Sequence, residues 1–236
     1  MEDQVRKLVD KAWRRYEEMP QDRRLLIGIA GIPGSGKTTL SQVITDRLNA
    51  HAASIDPSAP PPATFVPMDG FHLTRAALSA MPDPATAHAR RGAAFTFDAA
   101  KFLGLVTALC AAPIPAAPVL APSFDHAVKD PKDDDIVVLP EHRVVVLEGN
   151  YVALDADVWR DAAALLDELW FVEVDFDVAR LRLRERHVRA GIVKTIEEGD
   201  RRALENDLVN GEEILEHRLK IDEIIHSRED GSWVHE

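Results

Sequence analysis

Apolar residues return every three or four positions at Val5, Leu8, Val9, Ala12, Trp13 and Tyr16, so the chain opens with an amphipathic helix. Its polar face carries both signs of charge, as an ordinary solvated face does, and Pro20 stops it. The pattern then changes. Leu25–Ala30 is a continuous apolar run of strand length, a glycine-rich turn follows, and Thr38–Asn49 returns to helical spacing. Pro57, Pro60, Pro61 and Pro62 mark a loop, from which Thr64–Met68 leaves as a second strand. Helices are expected around Thr74–Ala80 and Asp98–Ala111. Pro113, Pro115, Pro118 and Pro122 make a second proline-rich connection, with room for a short strand near Val119-Leu120. Ile136–Leu139 and Val144–Leu147 are β-branched apolar runs on either side of a tight turn, and Leu169–Val174 is a further strand. Asp177–Ala190 and Thr195–Leu208 have helical spacing, and Glu223–His226 ends the pattern as a short strand.

Apolar strands alternating with helices predict an α/β protein: a mostly parallel sheet with helices on both faces. Ligands of such sheets bind at the carboxyl ends of the strands, so chemistry is expected just after each strand. Strand and helix alternate without a break from Leu25 to His226. Residues 1–236 are therefore read as one domain, with residues 1–20 as an N-terminal helix.

Composition narrows the partners. The chain has 236 residues with 28 Lys plus Arg against 40 Asp plus Glu, a formal net charge of −12. That balance argues against a nucleic-acid coat or an anionic membrane surface as partner, both of which need basic surface. It does not exclude a small polyanion held at one local positive site. Hydrophobic residues make up 46% and charged residues 29%, enough to bury a core without disulfides. The single cysteine, Cys110, fits a reducing compartment, and no apolar run reaches the length of a membrane span. With Glu2 and Asp3 at the start and no apolar segment behind them, a cytoplasmic location is expected, as a monomer or a homodimer.

Gly31-Ile32-Pro33-Gly34-Ser35-Gly36-Lys37-Thr38 matches the P-loop pattern and sits between a predicted strand and a predicted helix, the context that pattern requires. Gly31, Gly34 and Gly36 let the chain curl so that backbone N–H groups point at phosphate oxygens, and the helix adds its positive end. Lys37 is expected on the β- and γ-phosphates of ATP and the Thr38 hydroxyl on Mg²⁺. Pro33, Ser35 and Thr39 complete the phosphate-facing stretch.

Two carboxylates follow two other strands. Glu148 ends the apolar run Val144–Leu147 and is a candidate to hold Mg²⁺, directly or through water, rather than simply face solvent. Asp69 follows Met68, where a general base for an attacking hydroxyl is expected. Asp69-Gly70 is equally a turn pair, and the local sequence leaves both readings open. Arg180, Arg182, Arg184, Arg186 and Arg189 crowd one helix, with Arg182, Arg186 and Arg189 on one face. In so acidic a chain this points to a lid over residues 177–195 that brings cationic charge to a transferring phosphoryl group. The other reading is a solvated basic helix. Neither a zinc-like Cys/His spacing, a G-x-S-x-G elbow nor an N-K-x-D guanine motif occurs.

Together these segments resemble the uridine kinase, phosphoribulokinase and bacterial-type pantothenate kinase family of P-loop kinases, over about residues 25–226. The diagnostic parts beyond the P-loop are Pro67–Leu73, Arg91–Asp98, Pro122–His126 with Asp130-Pro131, Leu147–Tyr151, Arg186–Gly191, and Asn206-Asp207 with Asn210. The resemblance implies a P-loop NTPase fold with a five-stranded parallel core, appended strands and an Arg-bearing helical lid. It implies Asp69 as general base, Glu148 beside magnesium, and Arg186 and Arg189 on the phosphates. His72, Arg91, Asp125, His126 and Tyr151 would line the acceptor pocket. Uridine kinases usually follow a Tyr-Asp pair with a His-Ser-Arg segment, whereas here Phe124-Asp125-His126 leads to Ala127-Val128-Lys129-Asp130. The expected activity is ATP- and Mg²⁺-dependent transfer of the γ-phosphoryl group to a hydroxyl of a nucleoside, sugar or pantothenate-like alcohol. The alternative is a P-loop ATPase whose hydrolysis drives a conformational or partner-binding event.

Overall fold

A computed structural model describes residues 1–125 and 127–228. The chain runs α1 (Glu2–Glu18), β1 (Leu25–Gly31), α2 (Lys37–Ile55), β2 (Ala63–Pro67), a 3₁₀ turn (Met68–Phe71), α3 (Arg75–Ser79), α4 (Pro84–Ala89) and α5 (Ala99–Leu109). It continues with β3 (Val119–Asp125), β4 (Asp130–Val138), β5 (Val144–Glu148), α6 (Trp159–Ala163), β6 (Glu168–Glu173) and α7 (Phe176–Arg189). The last elements are α8 (Ile196–Arg202), a π-helical turn (Ala203–Asp207), α9 (Leu208–Glu216) and β7 (Glu223–His226).

Five strands form a parallel sheet in the order β2-β5-β1-β6-β7, as the alternation of apolar strands and helices predicts. Strand period then sorts side chains onto two faces. Leu25, Ile27 and Ile29 of β1 meet Val5, Leu8 and Ala12 of α1 and Leu40, Ile44 and Leu48 of α2. Leu26 and Ala30 join Val66, Val145, Leu147 and Phe171 in the opposite core, against α5, α6 and α7. Each such leucine or isoleucine buried without exposure is worth about 2–5 kcal/mol against truncation to alanine. Helix α1 is tied down by more than apolar contact: Lys11 reaches Glu168 and Glu223, each at 2.7 Å, and Trp13 packs edge-on against His51 at 4.4 Å.

The turn predicted between Ile136–Leu139 and Val144–Leu147 is present, but the two runs do not pair. β4 joins β3 in a separate antiparallel ribbon with Leu120 opposite Val137, while β5 inserts between β1 and β2. Val144–Glu148 is buried throughout and belongs at the sheet centre, whereas Pro131–Asp135 is polar and belongs on a ribbon. The helix predicted at Thr195–Leu208 extends to Glu216 and includes the π-helical turn.

Candidate active site

β1 delivers its last residue, Gly31, into the predicted phosphate loop, and α2 starts at Lys37. Gly34 and Gly36 adopt φ of +78° and +89°, a region that side chains rarely enter, so the curl of the loop depends on them. A Cβ on Gly34 would also stand 2.8 Å from the Ala179 carbonyl oxygen of α7. Helix α7 thus rests directly on the loop. Arg182 reinforces that contact by donating to the Gly34 carbonyl at 3.2 Å and to Ser227 Oγ at 2.9 Å. Pro33 and Ser35 are buried within the loop, Thr39 is half-buried on the first turn of α2, and Thr38 is exposed.

Glu148 ends β5 opposite Ile29 of β1 and Pro67 of β2, so it lies at the sheet centre between the two strands that lead to the P-loop and to Asp69. It is 4% exposed, and its Oε1 stands 3.8 Å from Lys37 Nζ. Burial drives its carboxyl up to about 7; Lys37 opposes this, Asp69 adds to it, and the Thr38 hydroxyl bond and Arg186 pull it down. Burial likewise pushes the Lys37 ammonium below its ordinary range, against the pull of Glu148 and Asp69. Gly149 has a packing role as well, since a Cβ there would overlap Met68.

Asp69 sits exposed in the 3₁₀ turn directly after β2, close enough to Lys37 and Glu148 to bias both charges. Gly70 beside it lets Pro122 of β3 press onto the turn, because a Cβ would overlap the Pro122 carbonyl oxygen. Asp69-Gly70 is therefore a turn and a candidate base at once. His72 Nδ1 donates to the Asp69 carbonyl at 2.8 Å, and its ring packs 4.0 Å from Phe97 and 4.9 Å from Phe124. It forms a wall beside Asp69.

The remaining acceptor-side candidates are placed differently. Arg91 donates to the carbonyls of Lys129 and Leu73 and pairs with Asp130 at 3.0 Å, binding the loop before α5 to the β3–β4 ribbon. Asp125 Oδ1 accepts from the backbone N–H groups of Ala127 and Val128, closing the ribbon turn. Tyr151 is fully buried, packs on Phe97 and Trp159, and donates its hydroxyl to the Gly92 carbonyl at 2.6 Å. His126 lies outside the described residues.

Along α7, the arginines divide. Arg180 forms a two-point pair with Asp200 of α8. Arg186 is exposed and near enough to Lys37 and Glu148 to act on both, and Arg189 is exposed at the last turn of α7. The sequence reading missed His187, which is buried on the same helix and bonds Asp207 Oδ2 through Nε2 at 2.8 Å. Asp207 in turn biases Lys37. His187 continues the buried row of Ala179 and Leu183 at i, i+4, i+8, a spacing that the arginines around it obscure. A cleft of about 610 Å³ opens beside Ile32, lined by Phe171–Asp177, Leu215, His226 and Ser227 at the carboxyl ends of β6 and β7. Among the described residues no three carboxylates, histidines or cysteines converge to cage a metal. A magnesium ion held by Thr38 and Glu148 would complete its shell with water and phosphate oxygens, its usual preference.

A glycine-curled loop between a strand and a helix, a buried lysine, and carboxylates on two neighbouring strands define a P-loop kinase, the class to which similar proteins of known sequence and structure also point. An ATP-dependent kinase-like protein, notR′ of Aspergillus versicolor, is 50% identical over 167 residues, which are 70% of this chain and 95% of the relative. A Schizosaccharomyces pombe protein provisionally named a uridine kinase is 40% identical over 197 residues, 84% of this chain and 80% of its own. The crystal structure of YFH7 from Saccharomyces cerevisiae, described as a circularly permuted P-loop kinase, superposes with a TM-score of 0.82 at 25% identity. It covers 96% of this chain and 99% of its own. No family model matches the chain. The chain belongs to the uridine kinase-like, ATP-dependent P-loop kinases.

Proposed function

We propose that this kinase transfers the γ-phosphoryl group of ATP, with Mg²⁺, to a hydroxyl of a small metabolite. The observation that carries the reading is the convergence of Lys37, Glu148 and Asp69 at the carboxyl ends of three adjacent strands. In this reading the P-loop amides and Lys37 hold the phosphates, and the cleft beside Ile32 takes the base of the nucleotide. Thr38 and Glu148 would hold magnesium, which would supply positive charge to offset that of the phosphates. Asp69, exposed on its turn, accepts the proton of the attacking hydroxyl and orients its oxygen. Arg186 and Arg189 bring cationic charge toward the transferring group from the C-terminal part of α7, and His72 walls the acceptor. Residues 1–236 act as one kinase domain, and the single thiol supports a cytoplasmic setting.

Incubation with terminally labelled ATP, magnesium and a metabolite extract tests the reading. Label in an organic phosphate ester is expected, and its identification names the acceptor. Label confined to inorganic phosphate would instead support an ATPase that couples hydrolysis to a conformational or partner-binding event.

A further inference from the structure

The reading above gives a role to Arg186 and none to the buried residue that follows it. His187 is 3% exposed, and its Nε2 donates at 2.8 Å to Oδ2 of Asp207, whose side chain is also largely buried. The other ring nitrogen, Nδ1, is buried without a partner among the described residues, so the ring's polar contact there is with Asp207. Asp207 lies near enough to Lys37 to act on its charge, and Arg186 acts on both Lys37 and Glu148. A buried hydrogen bond therefore joins the helix that carries Arg186 to a residue beside the phosphate site.

Helix α7 is anchored at two points. Near its start the Ala179 carbonyl oxygen presses on Gly34, and Arg182 donates to the Gly34 carbonyl at 3.2 Å. About 12 Å further along the axis, His187 meets Asp207. Ala179, Leu183 and His187 make the buried row between the two anchors. Apolar contact has no direction, so Ala179 and Leu183 hold the helix down without setting its rotation. A hydrogen bond is directional. Successive residues on a helix are turned by about 100°, so the bond that fixes His187 also fixes the bearing of Arg186.

Both sides of this second anchor are themselves tied. Asp207 closes the π-helical turn, and beside it the buried Asn206 donates through Nδ2 to the Arg91 carbonyl at 3.1 Å. Arg91 in turn pairs with Asp130 of β4. A π-helical turn carries an extra residue, a distortion common at functional sites, and here the consecutive Asn206 and Asp207 both turn inward. On the α7 side, the His187 carbonyl accepts from the N–H groups of Ile192 and Val193 in the loop that leads to α8. We propose that His187 and Asp207 are positioning residues for phosphoryl transfer, their hydrogen bond setting the rotation of α7 and so the aim of Arg186 at the transferring group. The inference rests on the role given to Arg186 above.

The test uses the full chain with terminally labelled ATP at saturation, magnesium and a fixed amount of metabolite extract. His187→Leu should lower the rate of ester formation about tenfold, the scale of one hydrogen bond, and leave ATP affinity by titration within about twofold. His187→Gln, whose amide can donate in place of Nε2, should keep about half the native rate or more. In an Arg186→Ala background His187→Leu should cost less than about a further twofold, because the pair acts through that arginine. The same loss in both backgrounds, a native rate in His187→Leu, or a loss in His187→Gln equal to that in His187→Leu would overturn the proposal. If His187→Leu fails to fold, His187→Leu with Asp207→Asn, which leaves no carboxylate without its partner, takes its place. Label in inorganic phosphate alone would overturn the kinase reading, and the same comparisons made on the rate of hydrolysis would then decide the role of the pair separately.

Discussion

Lys37 Nζ stands 3.8 Å from Glu148 Oε1, with both side chains closed off from solvent. The pair is preorganised for a ligand that brings its own charges, and without one it is strained electrostatically. Burial holds the Glu148 carboxyl at about 7 against an ordinary 4.5, so the folded chain binds the proton more tightly than the unfolded one. Stability of the protein free of nucleotide and divalent cation should therefore fall as pH rises through that window. Between pH 6 and 8 the loss attributable to this group is about 1–2 kcal/mol. Urea unfolding in EDTA should show it for the native chain and not for Glu148→Gln. A native profile parallel to that of Glu148→Gln would mean that the carboxylate is ionised throughout that range.

Asp69 is exposed on a tight turn and Asn suits such a turn as well as Asp does, so Asp69→Asn should fold as the native chain does. Removing the base is expected to cut phosphoryl transfer by about 10²–10⁴-fold while ATP binding is nearly unchanged. Single-turnover transfer and equilibrium titration with ATP separate the two effects. Transfer that survives the substitution would leave Asp69 with the turn alone.

The five arginines of α7 are not equivalent. Arg186 is near enough to Lys37 and Glu148 to bias both charges, whereas Arg180 is engaged with Asp200 of α8. Arg186→Ala is expected to lower kcat by about 10²-fold or more, the scale for removing one charge aimed at a transition state. Arg180→Ala should loosen the α7–α8 contact and leave turnover in place. Steady-state kinetics on both variants checks this, and equal losses would show that the helix works through its overall charge.

Much of this architecture is legible in the sequence because it is written in local pattern. β1, β5 and β6 are apolar runs that can only be central strands, and the phosphate loop declares itself by glycines at fixed intervals. What escapes is whatever depends on contact between distant segments. Ile136–Val138 looks as apolar as Val144–Leu147, yet the acidic residues before it send β4 to the ribbon with β3. Gly149 follows Glu148 because Met68 packs where a side chain would stand, which no local rule conveys. Arg91 stands out as a charged residue, but its partners Lys129 and Asp130 lie far along the chain and only the fold joins them. The polar environment of Asn206 is hidden for the same reason.

Tyr151 separates a residue that binds from one that supports. The family resemblance implies that it lines the acceptor pocket, yet it is fully buried among Phe97 and Trp159, and its hydroxyl bonds the Gly92 carbonyl at 2.6 Å. Burial and nearby Glu213 raise its phenol above the ordinary tyrosine range, so it stays protonated and remains a donor. Tyr151→Phe keeps the ring and removes only that bond, leaving a backbone carbonyl unsatisfied at a cost of about 1–3 kcal/mol. Chemical denaturation should show this loss. If the hydroxyl acts only by holding Gly92, acceptor KM should stay close to that of the native chain once the folded fraction is accounted for. A rise in acceptor KM of about tenfold, with stability unaltered, would place the phenol on the acceptor itself.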